Sequence, residues 1–142
     1  LKFRTMKCDM YLTFDGNCEE AMLYYKEVLN GEFTVTMRYS EGPPEYSNPK
    51  IENKIMHQTL VFGSGNELKA SDSFHQPLNK GNNFHISIAT ENEEEAVSIF
   101  KGLAKNGNIT MPFDNVFWGG KFGSCIDKFG VQWMVSCLAQ KS

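Results

Sequence analysis

The second half of this chain repeats the first, and that repeat constrains the fold more than any other feature, because two similar segments must bury similar apolar faces in similar ways. Asn17-Cys18-Glu19-Glu20-Ala21 returns as Asn92-Glu93-Glu94-Glu95-Ala96. The apolar positions Ala21, Tyr24, Tyr25, Val28 and Leu29 return as Ala96, Ile99, Phe100, Leu103 and Ala104, each displaced by 75 residues. Steps of three and four residues draw one stripe along a helix, so both segments are expected to be amphipathic helices. Asn17 and Asn92 are the expected N-caps, each with a glutamate three residues on, Glu20 and Glu95, to close a capping box. Asn30-Gly31 and Asn106-Gly107 supply the left-handed residue that ends each helix.

Strand-like segments flank both helices. Lys7 to Phe14 precedes the first and Asn83 to Ala89 the second, both short and alternating. Phe33 to Tyr39, Lys54 to Phe62 and Glu67 to Ser71 follow the first helix; Ile109 to Phe113, Lys121 to Asp127 and Val131 to Cys137 follow the second. Gly65 and Ser71 return as Gly130 and Ser136 at an offset of 65, because the loop Glu41 to Pro49, rich in Gly, Pro and Ser, extends only the first copy. The expected fold is therefore α+β: a single domain over 1–142 built from two tandem βαβββ modules, at 7–72 and 83–138.

Alternation then assigns faces. Val131, Trp133, Val135 and Cys137 should meet a helix, leaving Gln132, Met134 and Ser136 on the other side. By the same rule Met56, Leu60 and Phe62 oppose His57 and Thr59, while Phe84, Ile86 and Ile88 oppose His85 and Ser87.

Composition removes several classes of function. A hydrophobic content of 41% in 142 residues is enough for a core, which excludes general disorder. The net charge of −3 comes with no basic run, so nucleic acid is not an expected partner. No stretch approaches eighteen apolar residues, so no membrane partner is expected either. Cys8, Cys18, Cys125 and Cys137 have no zinc-like spacing and are expected to be reduced, mostly buried thiols in a cytoplasmic protein.

Several motifs, in order, carry a resemblance. Tyr11-Leu12-Thr13-Phe14-Asp15-Gly16-Asn17-Cys18-Glu19-Glu20-Ala21, Met56-His57, Ser71-Asp72, Trp118-Gly119-x-x-Phe122-Gly123 and Asp127-x-Phe129-Gly130-x-x-Trp133 resemble the PhnB-like branch of the vicinal oxygen chelate superfamily, which contains glyoxalase I, bleomycin resistance proteins and fosfomycin-modifying enzymes. The resemblance spans nearly the whole chain. It implies paired modules forming an open, U-shaped half-barrel around a cavity, assembled as a homodimer. Branch members often carry a ubiquinone methyltransferase label, yet this sequence has no Gly-rich strand-to-helix turn to cradle a nucleotide-type cofactor.

The superfamily's enzymes hold a divalent metal through one side chain on the first and one on the last strand of each module. Carried over, the second module's positions are His85 and Met134; the offsets of 75 and 65 give Met10 and Lys69 for the first. Only His85 is a good ligand, since a thioether is weak and soft and an ammonium repels the ion. The expectation is a degenerate metal site with no cofactor, His85 being the residual candidate. A makeshift site from His57, His85 and Glu67 is the alternative weighed against it.

His85 and His57 are the candidate acid–base residues, because imidazole titrates near neutrality, against the reading that each is a hydrogen-bonded residue of a half-buried sheet face. Met10, Lys69, Trp118, Phe122, Gln132 and Met134 are the candidate ligand contacts, forming an apolar and adaptable wall. Lys69 either attracts an anion or snorkels to the rim. The acid run Glu91 to Glu95 is read as dipole-stabilised charge at a helix start, and Asp72 as a turn cap or a cavity-mouth group. Two functions follow as expectations: a dimeric small-molecule-binding protein, or a glyoxalase-type lyase, isomerase or transferase acting on a small oxygenated substrate with a residual metal.

Overall fold

The computed structural model describes residues 5–75 and 77–138. Its elements run β1 (Met10–Phe14), α1 (Cys18–Leu29), β2 (Glu32–Arg38), β3 (Ile55–Phe62), β4 (Asn66–Asp72), β5 (Ile86–Thr90), α2 (Glu93–Ala104), β6 (Asn108–Asn115), β7 (Lys121–Ile126) and β8 (Gln132–Cys137). Two single-turn 3-10 helices, Tyr39–Glu41 and Pro44–Tyr46, lie between β2 and β3. This is the expected βαβββ pattern, twice. The copies fall in two compact units, Leu1–Leu78 and Asn79–Ser142.

Each unit is one four-stranded sheet with one helix. The orders are β1-β4-β3-β2 and β5-β8-β7-β6. The first strand pairs parallel with the last, and the remaining pairs are antiparallel. In the first unit Leu12, Phe14, Leu60, Leu68 and Ala70 form a buried row with Ala21, Met22, Tyr25 and Leu29 of α1. In the second, Ile86, Cys125, Trp133 and Val135 do the same with Ala96, Ile99, Phe100 and Leu103 of α2. Gln58 sits buried in the first row, where apolar residues were expected; its Nε2 donates to Thr36 Oγ1 at 3.1 Å and its Oε1 has no partner.

The helix starts differ from the expected capping boxes. Asn17 makes no side-chain cap bond. The α1 N-terminus is closed instead by Asp72, at the end of β4: its Oδ1 accepts from Gly16 N and Cys18 N, each at 2.9 Å, and its Oδ2 accepts from Ile55 N at 3.0 Å. Asp72 is 1% exposed, so it is a cap and not a cavity-mouth group. A carboxylate outcompetes an amide here because it offers acceptors to three backbone donors at once. Asn92 does cap α2, accepting from Glu95 N at 3.0 Å, but the Glu95 carboxylate takes Thr90 Oγ1 at 2.7 Å and leaves the box open.

The helix ends hold as expected, with Asn30 at φ 53° and Asn106 at φ 60°. The following glycines are required by space. A Cβ on Gly31 would lie 2.7 Å from the Val61 carbonyl oxygen, and one on Gly107 would press on the equivalent carbonyl of Ile126.

Of the free thiols, Cys8 is exposed while Cys18, Cys125 and Cys137 are buried. Burial, with the Asp127 charge second, pushes the Cys125 thiol from 9.0 up to about 11; burial and then the Asp72 charge push Cys18 up as well. At pH 8 a thiol reagent is therefore expected to modify Cys8 quickly and the other three only as the chain unfolds. Because the unfolded thiols ionise first, stability should fall as pH rises from the ordinary thiol value toward about 11, and a denaturation midpoint measured across that range checks the sign.

Candidate ligand-binding site

Strand register identifies which residues occupy equivalent places on the faces away from the helices. Leu12 pairs with Ala70 and Ile88 pairs with Val135, and Ala70 and Val135 are themselves equivalent at the offset of 65. The first strands thus correspond at an offset of 76, one more than the helices, because Asp15-Gly16-Asn17 links β1 to α1 where only Glu91-Asn92 links β5 to α2. This corrects one assignment. Met10 falls in the row of Leu12 and Phe14, and Tyr11 takes the outward position. The residue equivalent to His85 is Asp9.

Asp9 lies in an ion cluster. The Lys69 ammonium is 3.2 Å from Asp9 Oδ2 and 3.6 Å from Glu67 Oε2, while the Lys7 ammonium is 2.6 Å from Glu67 Oε2 and 3.7 Å from Asp9 Oδ2. The Glu67 hydrogen bond foremost raises the Lys7 pKa. Two cations and two anions cancel, so Lys69 carries no spare charge for an anionic ligand.

The four positions that the resemblance marks for a metal fall on two residues in each unit. In the first unit they are Asp9 and Lys69, a carboxylate already neutralised by the ammonium beside it. In the second they are His85 and Met134. Taken unit by unit, neither a carboxylate paired with an ammonium nor an imidazole with a thioether is a donor pair suited to a divalent ion. Of the makeshift set, Glu67 is held by both lysines and both ring nitrogens of His57 are engaged in hydrogen bonds. Among the described residues no three His, Cys, Asp or Glu side chains cluster to hold a metal.

His57 is the middle of a hydrogen-bonded chain. Its Nδ1 lies 3.0 Å from Tyr11 Oη and its Nε2 lies 3.0 Å from Thr59 Oγ1. The Tyr11 and His57 rings are 5.6 Å apart, centre to centre. The chain runs from the half-exposed Tyr11 to the buried Thr59. Tyr11, Lys69 and Thr59 are direct partners across β1, β4 and β3, while Val35 and Met37 of β2 stand opposite Thr59 and His57. The first sheet thus presents a polar ladder with an apolar edge.

The second sheet has diverged at the same places. Phe122 replaces His57, Ser124 replaces Thr59, Ser87 replaces Tyr11 and Met134 replaces Lys69. Trp118 is 62% exposed in the β6–β7 turn, where Val116 N donates to Gly120 O at 3.1 Å; its ring stands edge-on to Phe122 at 6.1 Å and to Phe117 at 4.8 Å. Gln132 is committed elsewhere, donating from Nε2 to the Phe84 carbonyl at 2.6 Å. That bond holds the chain just ahead of β5, so His85, expected inside the strand, precedes it and is half-buried.

Sequence reading named His57, Lys69, Phe122, Trp118 and Met134 as candidates, considered Tyr11 only as a one-residue slip from Met10, and gave Asp9 and Thr59 no role. The usable signal was each strand's own buried row, which counts at 76, whereas the helices count at 75. For Thr59, the signal was its place two residues from His57 on one side of a strand.

Two βαβββ units with these outward faces define a PhnB-like protein. The chain belongs to the 3-demethylubiquinone-9 3-methyltransferase family, whose sequence model matches residues 6–136. It is 34% identical to protein PA1353 of Pseudomonas aeruginosa, whose crystal structure superposes with a TM-score of 0.86 over 95% of this chain and 99% of that one. The PhnB protein from Bacillus cereus is 30% identical, with a TM-score of 0.78 over 93% and 99% of the two chains. A glyoxylase/bleomycin resistance protein/dioxygenase domain from Frankia, 15% identical with a TM-score of 0.66 over 95% and 98%, shares the fold.

Proposed function

We propose that the protein binds a small organic molecule on the outward faces of its sheets without a divalent metal, and does so as a cytoplasmic homodimer. The observation that carries this reading is the Lys69 ammonium, which pairs with Asp9 where a metal would need a free donor. Each face by itself favours an uncharged molecule: the first sheet presents a neutral polar ladder, and the second presents the apolar side chains Phe122, Met134 and Trp118.

Methyl transfer fits poorly. A nucleotide-type methyl donor needs a helix N-terminus or Gly-rich turn free to meet its polar groups. The α1 start is filled by the Asp72 carboxylate, and the α2 start carries Glu93, Glu94 and Glu95. A second reading, catalysis on a small oxygenated substrate, is favoured by one observation, the bond between Tyr11 and His57, which joins two groups able to exchange a proton.

The test is a thermal-shift screen of uncharged aromatic and oxygenated compounds, run with and without Mn²⁺, Ni²⁺ or Zn²⁺. Compounds that raise the melting temperature equally in both conditions, and fail with His57→Ala, support the reading; a rise that needs the metal contradicts it. The homodimer is supported by the exposed apolar residues of the edge strand β6, Ile109 and Met111. Sedimentation at the 16.1 kDa monomer mass would contradict that part.

A further inference from the structure

We propose that Tyr11 is a hydrogen-bond donor to the ligand, primed by Thr59 through His57, and that it selects molecules presenting a carbonyl oxygen on an apolar or aromatic body. This rests on the small-molecule-binding reading and names the ligand class for the first sheet.

The direction of the chain follows from Thr59. Thr59 is a buried residue, 4% exposed, and His57 Nε2, at 3.0 Å, is its hydroxyl's hydrogen-bond partner among the described residues. A buried hydrogen with no acceptor is more costly than a hydroxyl oxygen with a lone pair unused, so Thr59 donates to Nε2. A neutral ring that accepts at Nε2 carries its hydrogen on Nδ1. That N–H donates to Tyr11 Oη at 3.0 Å. The phenol oxygen has then accepted a bond, and its own hydrogen is left to point outward from a residue that is 50% exposed. Successive donation polarises each group in turn, which makes this phenol a stronger donor than a free tyrosine.

The neighbours decide the acceptor. Lys69 is beside Tyr11 in the ladder, but Asp9 and Glu67 neutralise it, so no field favours a carboxylate or phosphate. Val35 and Met37, 40% and 38% exposed, stand opposite Thr59 and His57 and offer an apolar flank. An uncharged oxygen on an apolar body matches both.

The experiment is ¹⁵N-edited NMR of the histidine rings at pH 8, His57 being assigned by its loss in His57→Ala. Wild-type His57 is expected to carry its hydrogen on Nδ1, and Thr59→Val to move it to Nε2. A wild-type ring protonated on Nε2 overturns the donor chain while leaving the binding reading intact. Acetophenone and its hydrocarbon counterpart ethylbenzene are then added. Acetophenone is expected to shift the His57 ring signals in wild type and to lose that effect in Tyr11→Phe, with ethylbenzene inert. Equal shifts from both compounds, no shift from either, or a shift that survives Tyr11→Phe overturns the ligand class. A correct tautomer together with a failed thermal-shift screen would instead sink the binding reading, and the ligand class with it, while the donor order Thr59–His57–Tyr11 stands.

Discussion

Replacing Asp72 with alanine is expected to lower stability by about 3–5 kcal/mol, the largest effect of any single substitution discussed here. The carboxylate is 1% exposed and accepts from three backbone N–H groups that belong to three different places: the turn before α1, the first residue of α1, and the first residue of β3. Alanine would leave all three donors without their acceptor in a site closed to water. Asp72→Asn is the sharper variant, since it keeps the volume but turns an NH₂ toward donors, and it should remain strongly destabilising. Urea unfolding followed by far-ultraviolet circular dichroism measures both. An Asp72→Asn protein of wild-type stability would mean that the N-terminus of α1 is closed by something else.

In the second unit the corresponding expectation falls on Asp127. Its Oδ1 accepts from Phe129 N at 2.8 Å and Val131 N at 3.0 Å, and its Oδ2 accepts from the indole Nε1 of Trp133 at 2.8 Å. Trp133 is completely buried, so its N–H has no route to water. Asp127→Ala is expected to lose about 3–4 kcal/mol. Trp133→Phe removes the donor along with its need, so the double variant should be less destabilised than the sum of the singles. Denaturation of the four proteins, read by far-ultraviolet circular dichroism, gives that coupling, and simple additivity would contradict the bond's importance.

These two aspartates show how far the sequence could be read. Both stand in motifs that carry the family resemblance, Ser71-Asp72 and Asp127-x-Phe129-Gly130, and both prove to hold turns together. The helices and the order of the strands were legible because apolar spacing reports burial directly, and Trp133, Val135 and Leu60 lie where alternation put them. Cap partners were not legible: Asp72 is 54 residues from the Cys18 amide it receives, a separation no local pattern encodes. The candidate site was half legible. His57 and Thr59 were placed on the open face, but the single extra residue between β1 and α1 shifted the strand count, hiding Asp9 and Tyr11 behind Met10. With Asp9 in place, Lys69 has a partner that a rim-seeking lysine would lack.

Whether the Lys69–Asp9 pair leaves a place for a metal is tested directly by titration of the metal-stripped protein with Mn²⁺, Ni²⁺ and Zn²⁺, followed by X-ray absorption on any bound ion. The predicted result is no stoichiometric uptake at micromolar concentration by the wild type. One ion per chain, with the His85 imidazole or the Asp9 carboxylate in its coordination sphere, would contradict it.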